Sequence, residues 1–255
     1  MMMKMRNKNT LLVGLLCILM SACSTTKNLP EGETLYTGID KLEVVNEDKT
    51  LAGITALTEV EAALAYAPNN AIFGSSSLRW PVPFGLWVYN GFEKYQDKKG
   101  IGRWIFDHLG KSPVLMSSVN GETRAKVATN LLHDYGYFNG SVSYKEVPQK
   151  NPKEAKVSYV IDMARPYFLD SIAYLKYPHY ADSLIQSTRS LSVLKSEENF
   201  SVIKLEEERQ RLSNLFRNHG YYYYRPEFTT YRADTLQKSG YVSLQVVPRN
   251  GIPAE

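Results

Sequence analysis

The sequence predicts an α+β protein in which one small unit, strand, helix or helices, strand, strand, occurs twice. Three observations carry that prediction. A gap-free repeat aligns two segments, an apolar helical stripe precedes the glycine of each, and strand-like alternation follows it.

The repeat comes first because internal repetition decides the organisation of everything else. LLHDYGYF at 131–138 aligns with LFRNHGYY at 215–222, so that Gly136 falls on Gly220, Tyr137 on Tyr221 and Phe138 on Tyr222, an offset of 84. Ahead of the first glycine, Ala128, Leu131, Leu132 and Tyr135 are spaced i, i+3, i+4, i+7; ahead of the second, Leu205, Leu212, Leu215, Phe216 and His219 share a stripe. Each glycine stands where a left-handed residue ends a helix, a conformation glycine adopts without strain. Behind them, SVSYKEV (141–147) and EFTTYRA (227–233) read as strands, followed after polar loops by KVSYVID (156–162) and YVSLQVV (241–247). LYTGIDKLEVV (35–45) and YFLDSIAYL (167–175) supply the leading strand of each unit.

The four tyrosines at 221–224 are expected to form the first half of the strand after Gly220. Alternation then turns Tyr222 and Tyr224 inward with Phe228, and presents Tyr221, Tyr223, Arg225 and Glu227 on the other, mixed-polar face. Pro226 cannot donate to a ladder, which makes this an edge strand.

The first unit is longer than the second by a segment between Pro68 and Ser118 that holds all three tryptophans, Trp80, Trp87 and Trp104, with Phe73, Phe84, Phe92 and Phe106. KGIGRWIFDHLG has helical spacing at Ile101, Trp104, Ile105, His108 and Leu109; Pro81 and Pro83 make WPVPFG extended or a turn. These aromatics either form a satellite core or face lipid head groups or a partner, since Trp favours such boundaries.

The first 22 residues belong to export rather than to the fold. Lys4, Arg6 and Lys8 precede LLVGLLCILM, whose ten apolar residues are about half of the ~20 that span a bilayer, so the run reads as a secretory signal. Ser21-Ala22-Cys23 resembles a bacterial lipobox, which implies cleavage before Cys23 and acylation of its thiol. Stable anchoring needs more than one acyl chain, and a triacylated cysteine meets that need. Cys17 is lost with the signal, leaving no disulfide to form. Removing 1–22 takes away three basic and no acidic residues, so the formal net charge falls from +4 to about +1. The clustered basic excess of a nucleic-acid-binding protein is therefore missing.

Motifs of chemistry are scarce. His108, His133, His179 and His219 are scattered without metal-ligand spacing, and no GxSxG elbow or phosphate loop occurs. Neither a cofactor nor a catalytic residue is expected. Glu208 with Arg209 or Arg211 reads as a surface ion pair worth under ~1 kcal/mol.

The β-α-α-β-β unit with a helix ending in Gly-Tyr resembles the polypeptide-transport-associated (POTRA) module. LEEERQRLSNLFRNHGYYYYRPEFTTYRADT (205–235), with Glu208, Arg209 and Arg211 ahead of Gly220-Tyr221 and Ala233-Asp234-Thr235 behind, is similar to the translocation and assembly module lipoproteins of Bacteroidetes, in the BamA/TamA superfamily. NLPEGETLYTG and the stretch from PNNAIFG to KKGIGRWIFDHLGKSPVL also fit that family. Its members continue into a membrane β-barrel. This sequence reaches PRNGIPAE without such strands, so a fragment or a free-standing relative is expected.

The resemblance implies an outer-membrane lipoprotein facing the periplasm, acylated at Cys23, that helps assemble or translocate outer-membrane proteins. Its partners would be the membrane itself, unfolded client proteins and an assembly subunit. Recognition would use backbone edges, with Tyr221, Tyr223, Arg225 and Glu227 as candidate partner-binding residues. The expected layout is a signal at 1–22, a linker at 23–33, a first module at 34–164 with its insertion at 68–118, a second at 165–249 and a tail at 250–255. A glycan-binding lipoprotein using Tyr and Trp platforms, or a structural envelope lipoprotein, are the rival expectations.

Overall fold

The computed structural model describes residues 25–249. The signal segment, Cys23 and the tail lie outside them. The chain is α+β, with two three-stranded sheets. In order, the elements of the first half are β1 (Leu35–Val45), α1 (Leu51–Leu64), α2 (Phe84–Phe92), α3 (Ile101–Leu109), α4 (Met116–Val119), α5 (Gly121–Asp134), β2 (Ser141–Pro148) and β3 (Glu154–Asp162). The second half has β4 (Phe168–Tyr174), α6 (His179–Ser187), α7 (Val202–Arg217), β5 (Thr229–Asp234) and β6 (Tyr241–Pro248). By contact the chain divides into two compact units. One comprises the residues up to Leu42 with Leu64–Arg124 and Ser143–Tyr159; the other comprises Glu43–Ala63, Ala125–Val142 and the residues from Val160 on.

Both sheets place the last strand of the unit in the middle, in the orders β1-β3-β2 and β4-β6-β5. β4 runs parallel to β6, with Phe168 opposite Tyr241 and Tyr174 opposite Val246, and β5 runs antiparallel, with Thr229 opposite Pro248 and Asp234 opposite Ser243. In the first sheet, Leu35 N–H donates to Lys153 O at one end and Met163 N–H to Val45 O at the other, which sets β1 parallel to β3. Alternation decides which face is covered. Ala155, Val157, Tyr159 and Ile161 of β3 are buried, as are Val242, Leu244 and Val246 of β6. Onto the β6 row pack Ile185 of α6 and Leu205, Leu212 and Phe216 of α7. Each such side chain, fully buried, contributes about 1.5–3 kcal/mol.

The two helix ends predicted from the repeat share one geometry. Gly136 has φ +89° and Gly220 φ +100°. Tyr137 N–H donates to Leu132 O at 2.9 Å and Tyr221 N–H to Phe216 O at 3.1 Å, the same bond five residues back in each copy. This is the Schellman ending that a left-handed residue permits.

Two expectations are corrected here. The tyrosine run is a turn and not a strand: Tyr224 N–H donates to Tyr221 O at 2.9 Å, just as Gly140 N–H donates to Tyr137 O at 2.8 Å in the first copy. Pro226–Phe228 then forms a 3-10 turn, and β5 begins at Thr229. Local bonds satisfy the backbone that a strand would need, and the fixed φ of Pro226 suits the first position of that turn. Tyr222, expected inward, is consequently 76% exposed, whereas Tyr224 is buried as expected. The second correction concerns Glu208, which lies in the core instead of on the surface.

The insertion contains the helix expected over KGIGRWIFDHLG, as α3. Its aromatics divide. Phe106 packs on Tyr89 with ring centroids 5.1 Å apart and Gly102 abuts Tyr95, while Phe73, Trp80, Phe84 and Trp104 stand exposed.

Candidate functional site: two open sheet edges

Each three-stranded sheet has two outer strands, and the chain treats them unequally. Along the start of β1, Tyr36 N–H donates to Val114 O and Met116 N–H to Thr34 O, both at 2.8 Å, around an antiparallel bridge between Leu35 and Leu115. Along the start of β4, Leu169 N–H donates to Glu198 O at 2.8 Å, Glu197 N–H to Leu169 O at 2.7 Å and Phe200 N–H to Tyr167 O at 2.8 Å, around a bridge between Phe168 and Asn199. Leu115 and Asn199 are themselves 84 residues apart, so the cover is part of the duplicated unit. Arg189 extends it, donating from Nη2 to Ile172 O at 2.7 Å.

The opposite edges carry no such cover among the described residues. β2 is largely exposed, with Ser141, Ser143, Tyr144, Lys145 and Glu146 all open to solvent. One of its amides, Val142 N–H, is taken by Thr129 Oγ1 at 2.9 Å. In β5, Arg232 and Ala233 are exposed and β6 is the sole strand neighbour. In an antiparallel pair, alternate residues turn both N–H and C=O away from the partner strand, so each open edge presents a row of donors and acceptors. Charges at Lys145, Glu146, Arg232 and Asp234 guard these edges against indiscriminate pairing.

β5 is held rigidly from behind. Glu208, fully buried on α7, accepts from Arg211 at 2.6 and 3.0 Å, from Tyr174 Oη at 2.5 Å and from Val193 N–H at 3.2 Å. Burial pushes the Glu208 carboxyl up, but the bonds from Arg211 and Tyr174 and the Arg211 charge outweigh it and hold the pKa below the ordinary range. Tyr174 in turn is pushed up to about 12, by burial and then by its bond to Glu208. Beside this network, Tyr231 of β5 donates from Oη to Leu205 O at 2.6 Å, and the Arg209 guanidinium lies 5.1 Å from its ring. The pair Arg209 and Arg211 thus works on two sides of one helix. Arg211 neutralises a core carboxylate, and Arg209 clamps the edge strand.

The residues expected to bind a partner are placed elsewhere than expected. Tyr221 is half-buried, stacked on Tyr180 at 6.4 Å and edge-on to Phe216 at 5.7 Å. Tyr223 is 77% exposed at the tip of the turn, and Arg225 and Glu227 are exposed beside and within the 3-10 turn. None of the four is in a strand, so they flank the open edge of β5 instead of forming it. Cys23 lies outside the described residues.

No group of three or more His, Cys, Asp and Glu able to hold a metal occurs among the described residues, and no described helix is long and apolar enough to cross a membrane. The histidines near the helix ends bond carbonyls: His219 Nδ1–H donates to Leu215 O at 2.7 Å and His133 Nε2–H to Gly140 O at 3.2 Å.

No known protein family matches the chain by sequence, and no curated protein does. The chain is similar to parts of several solved structures. POTRA3-5 of BamA from Haemophilus influenzae is 10% identical over 87% of this chain and 99% of that one, with a TM-score of 0.33. POTRA1-2 of the periplasmic domain of Omp85 from Anabaena is 14% identical over 82% and 93%, with a TM-score of 0.31. BamA from Haemophilus ducreyi lacking POTRA domains 1–3 is 12% identical over 63% of this chain and 26% of that chain, with a TM-score of 0.36.

Proposed function

We propose that this chain is the strand-binding part of an envelope lipoprotein that assists the assembly or translocation of outer-membrane proteins, without enzymatic activity of its own. Two POTRA-like modules, 34–164 and 165–249, with the first carrying the insertion 68–118, offer the edges of β2 and β5 to extended client or partner segments. Cys23 carries the lipid that holds the chain on the periplasmic face of the outer membrane. One observation supports this most: in both sheets the start of the leading strand is covered by a segment of its own chain, and among the described residues the second strand has no such cover. A strand docking there gains main-chain hydrogen bonds whatever its sequence, and that suits a protein serving many clients.

The rival reading, a glycan platform, needs several coplanar exposed tyrosines. The run at 221–224 instead buries Tyr224 and half-buries Tyr221, leaving two at the tip of a turn.

A photo-crosslinking residue placed at Arg232 in the open edge, compared with one at Ser171 in the covered strand, tests the proposal in cells. The expected result is crosslinks to unfolded outer-membrane proteins from Arg232 alone. Crosslinks to peptidoglycan-associated proteins only, or equal yields from both positions, would contradict it.

A further inference from the structure

The insertion has a face that none of the described residues covers, and residues 25–28 are tied to the same insertion. On α3, Gly102 and Phe106 turn inward to Tyr95 and Tyr89. The successive positions 101, 104, 105, 108 and 109 form a separate stripe of Ile, Trp, Ile, His and Leu. Ile101 is 79% exposed, Trp104 55% and Leu109 43%, and His108 stacks on Trp104 at 4.9 Å. Trp80 and Phe84, on the segment that enters α2, are also exposed. So much outward apolar surface on one short helix marks a contact.

Charge indicates what it contacts. Between 68 and 118 there are six basic residues and three acidic ones, a formal +3, in a chain whose residues from 23 onward total about +1. Lys98 and Lys99 precede α3 and Lys111 follows it. An apolar stripe with Trp, bordered by lysines, has the chemistry of a helix lying in the interface of an anionic bilayer.

The N-terminal arm supplies the geometry. Asn90, buried on α2, donates from Nδ2 to Thr25 O at 3.4 Å, and Asn28 Nδ2 donates to Asn90 O at 3.4 Å. Thr25 also bonds Glu154, and Asn151 Nδ2 donates to Thr26 Oγ1 at 3.4 Å. Cys23 is two residues upstream of Thr25, a reach of at most about 7 Å. We propose that the exposed stripe of α3, with Trp80, rests on the anionic phospholipid surface that holds the lipidated Cys23, so that the anchor and the helix fix the orientation of this unit against the membrane. This rests on the lipoprotein reading above.

Since every tryptophan of the chain lies in the insertion, with Trp80 and Trp104 exposed, its fluorescence reports on the surroundings of the insertion. The test uses the processed chain with Cys23→Ser, which carries no acyl group. It is mixed with phosphatidylethanolamine vesicles containing or lacking phosphatidylglycerol, some bearing brominated acyl chains. The expected result is a blue shift and bromine quenching with the anionic vesicles, weakened by salt, with the partition coefficient falling at least about tenfold in Ile101→Ser/Trp104→Ser while Trp80 and Trp87 still report. No quenching at any lipid concentration, undiminished binding by the double variant, or burial of the stripe in a dimer seen by sedimentation would overturn it. Mass spectrometry of the native N-terminus separates the two claims. Acylated Cys23 without quenching sinks the helix contact and spares the anchor, while quenching with unmodified Cys23 sinks the anchor and the shared orientation.

Discussion

Arg211 grips Glu208 with two nitrogens, at 2.6 and 3.0 Å, three residues along the same helix, and the carboxylate has no exposure to solvent. A buried charge left without its partner is costly, so Arg211→Met is expected to destabilise the protein by about 3–5 kcal/mol. The double change Glu208→Leu/Arg211→Met should cost less than Arg211→Met alone, because no orphan charge remains. Urea unfolding of the variants measures both.

The same carboxylate sets an acid limb. Its pKa is lower in the folded state than the usual 4.5, so its contribution to stability is complete above that value and is lost as pH falls through the folded one. Glu208→Gln should flatten the loss of stability below about pH 4.5, as followed by thermal melting across pH.

The duplicated glycines each carry a testable cost. Gly220→Ala places a side chain at φ +100° and should cost about 1–2 kcal/mol. Gly136→Ala meets the same strain, and its Cβ would stand 2.6 Å from Phe200 O, a backbone atom that cannot rotate away. Its urea midpoint should fall by more than the strain of that φ alone would cause.

Within the tyrosine run, the turn geometry separates neighbours. Tyr222→Ser and Tyr223→Ser, at exposed sites, should stay within about 0.5 kcal/mol of the parent. Tyr224→Ala empties a buried site against Phe216 and breaks a 2.9 Å bond between its hydroxyl and Thr229 Oγ1, and should cost about 3–5 kcal/mol. Equal effects at all three would contradict the turn.

Proline at the open edge offers a test of the site that keeps the fold. Arg232 and Ala233 are neighbours on β5, so one of them directs its N–H outward and the other toward β6. Proline at the outward position should abolish binding of an extended peptide with little change in stability; at the other it should damage the sheet itself. Calorimetric titration with thermal melting distinguishes them.

Most of the architecture was legible because periodicity is written in the sequence. The limits of β1 were found as observed, and both helix ends were marked by a glycine at equivalent places. The tyrosines misled because aromatic residues favour strands, while a positive φ at Gly220 followed by Pro226 directs this segment into successive turns. Glu208 carries a usable signal: it lies three residues after Leu205 and four before Leu212, on the apolar stripe of α7. The covers over β1 and β4 had none. Each is a few residues making two or three backbone bonds, and such pairing leaves no compositional trace.

The central claim is that β2 and β5 are docking edges and β1 and β4 are not. Amide hydrogen exchange, with and without an extended peptide of alternating apolar residues, tests it most directly. Added protection confined to residues 141–148 and 229–234 is the predicted result. Protection unchanged there, or gained instead at the exposed turn around Tyr222 and Tyr223, would contradict it.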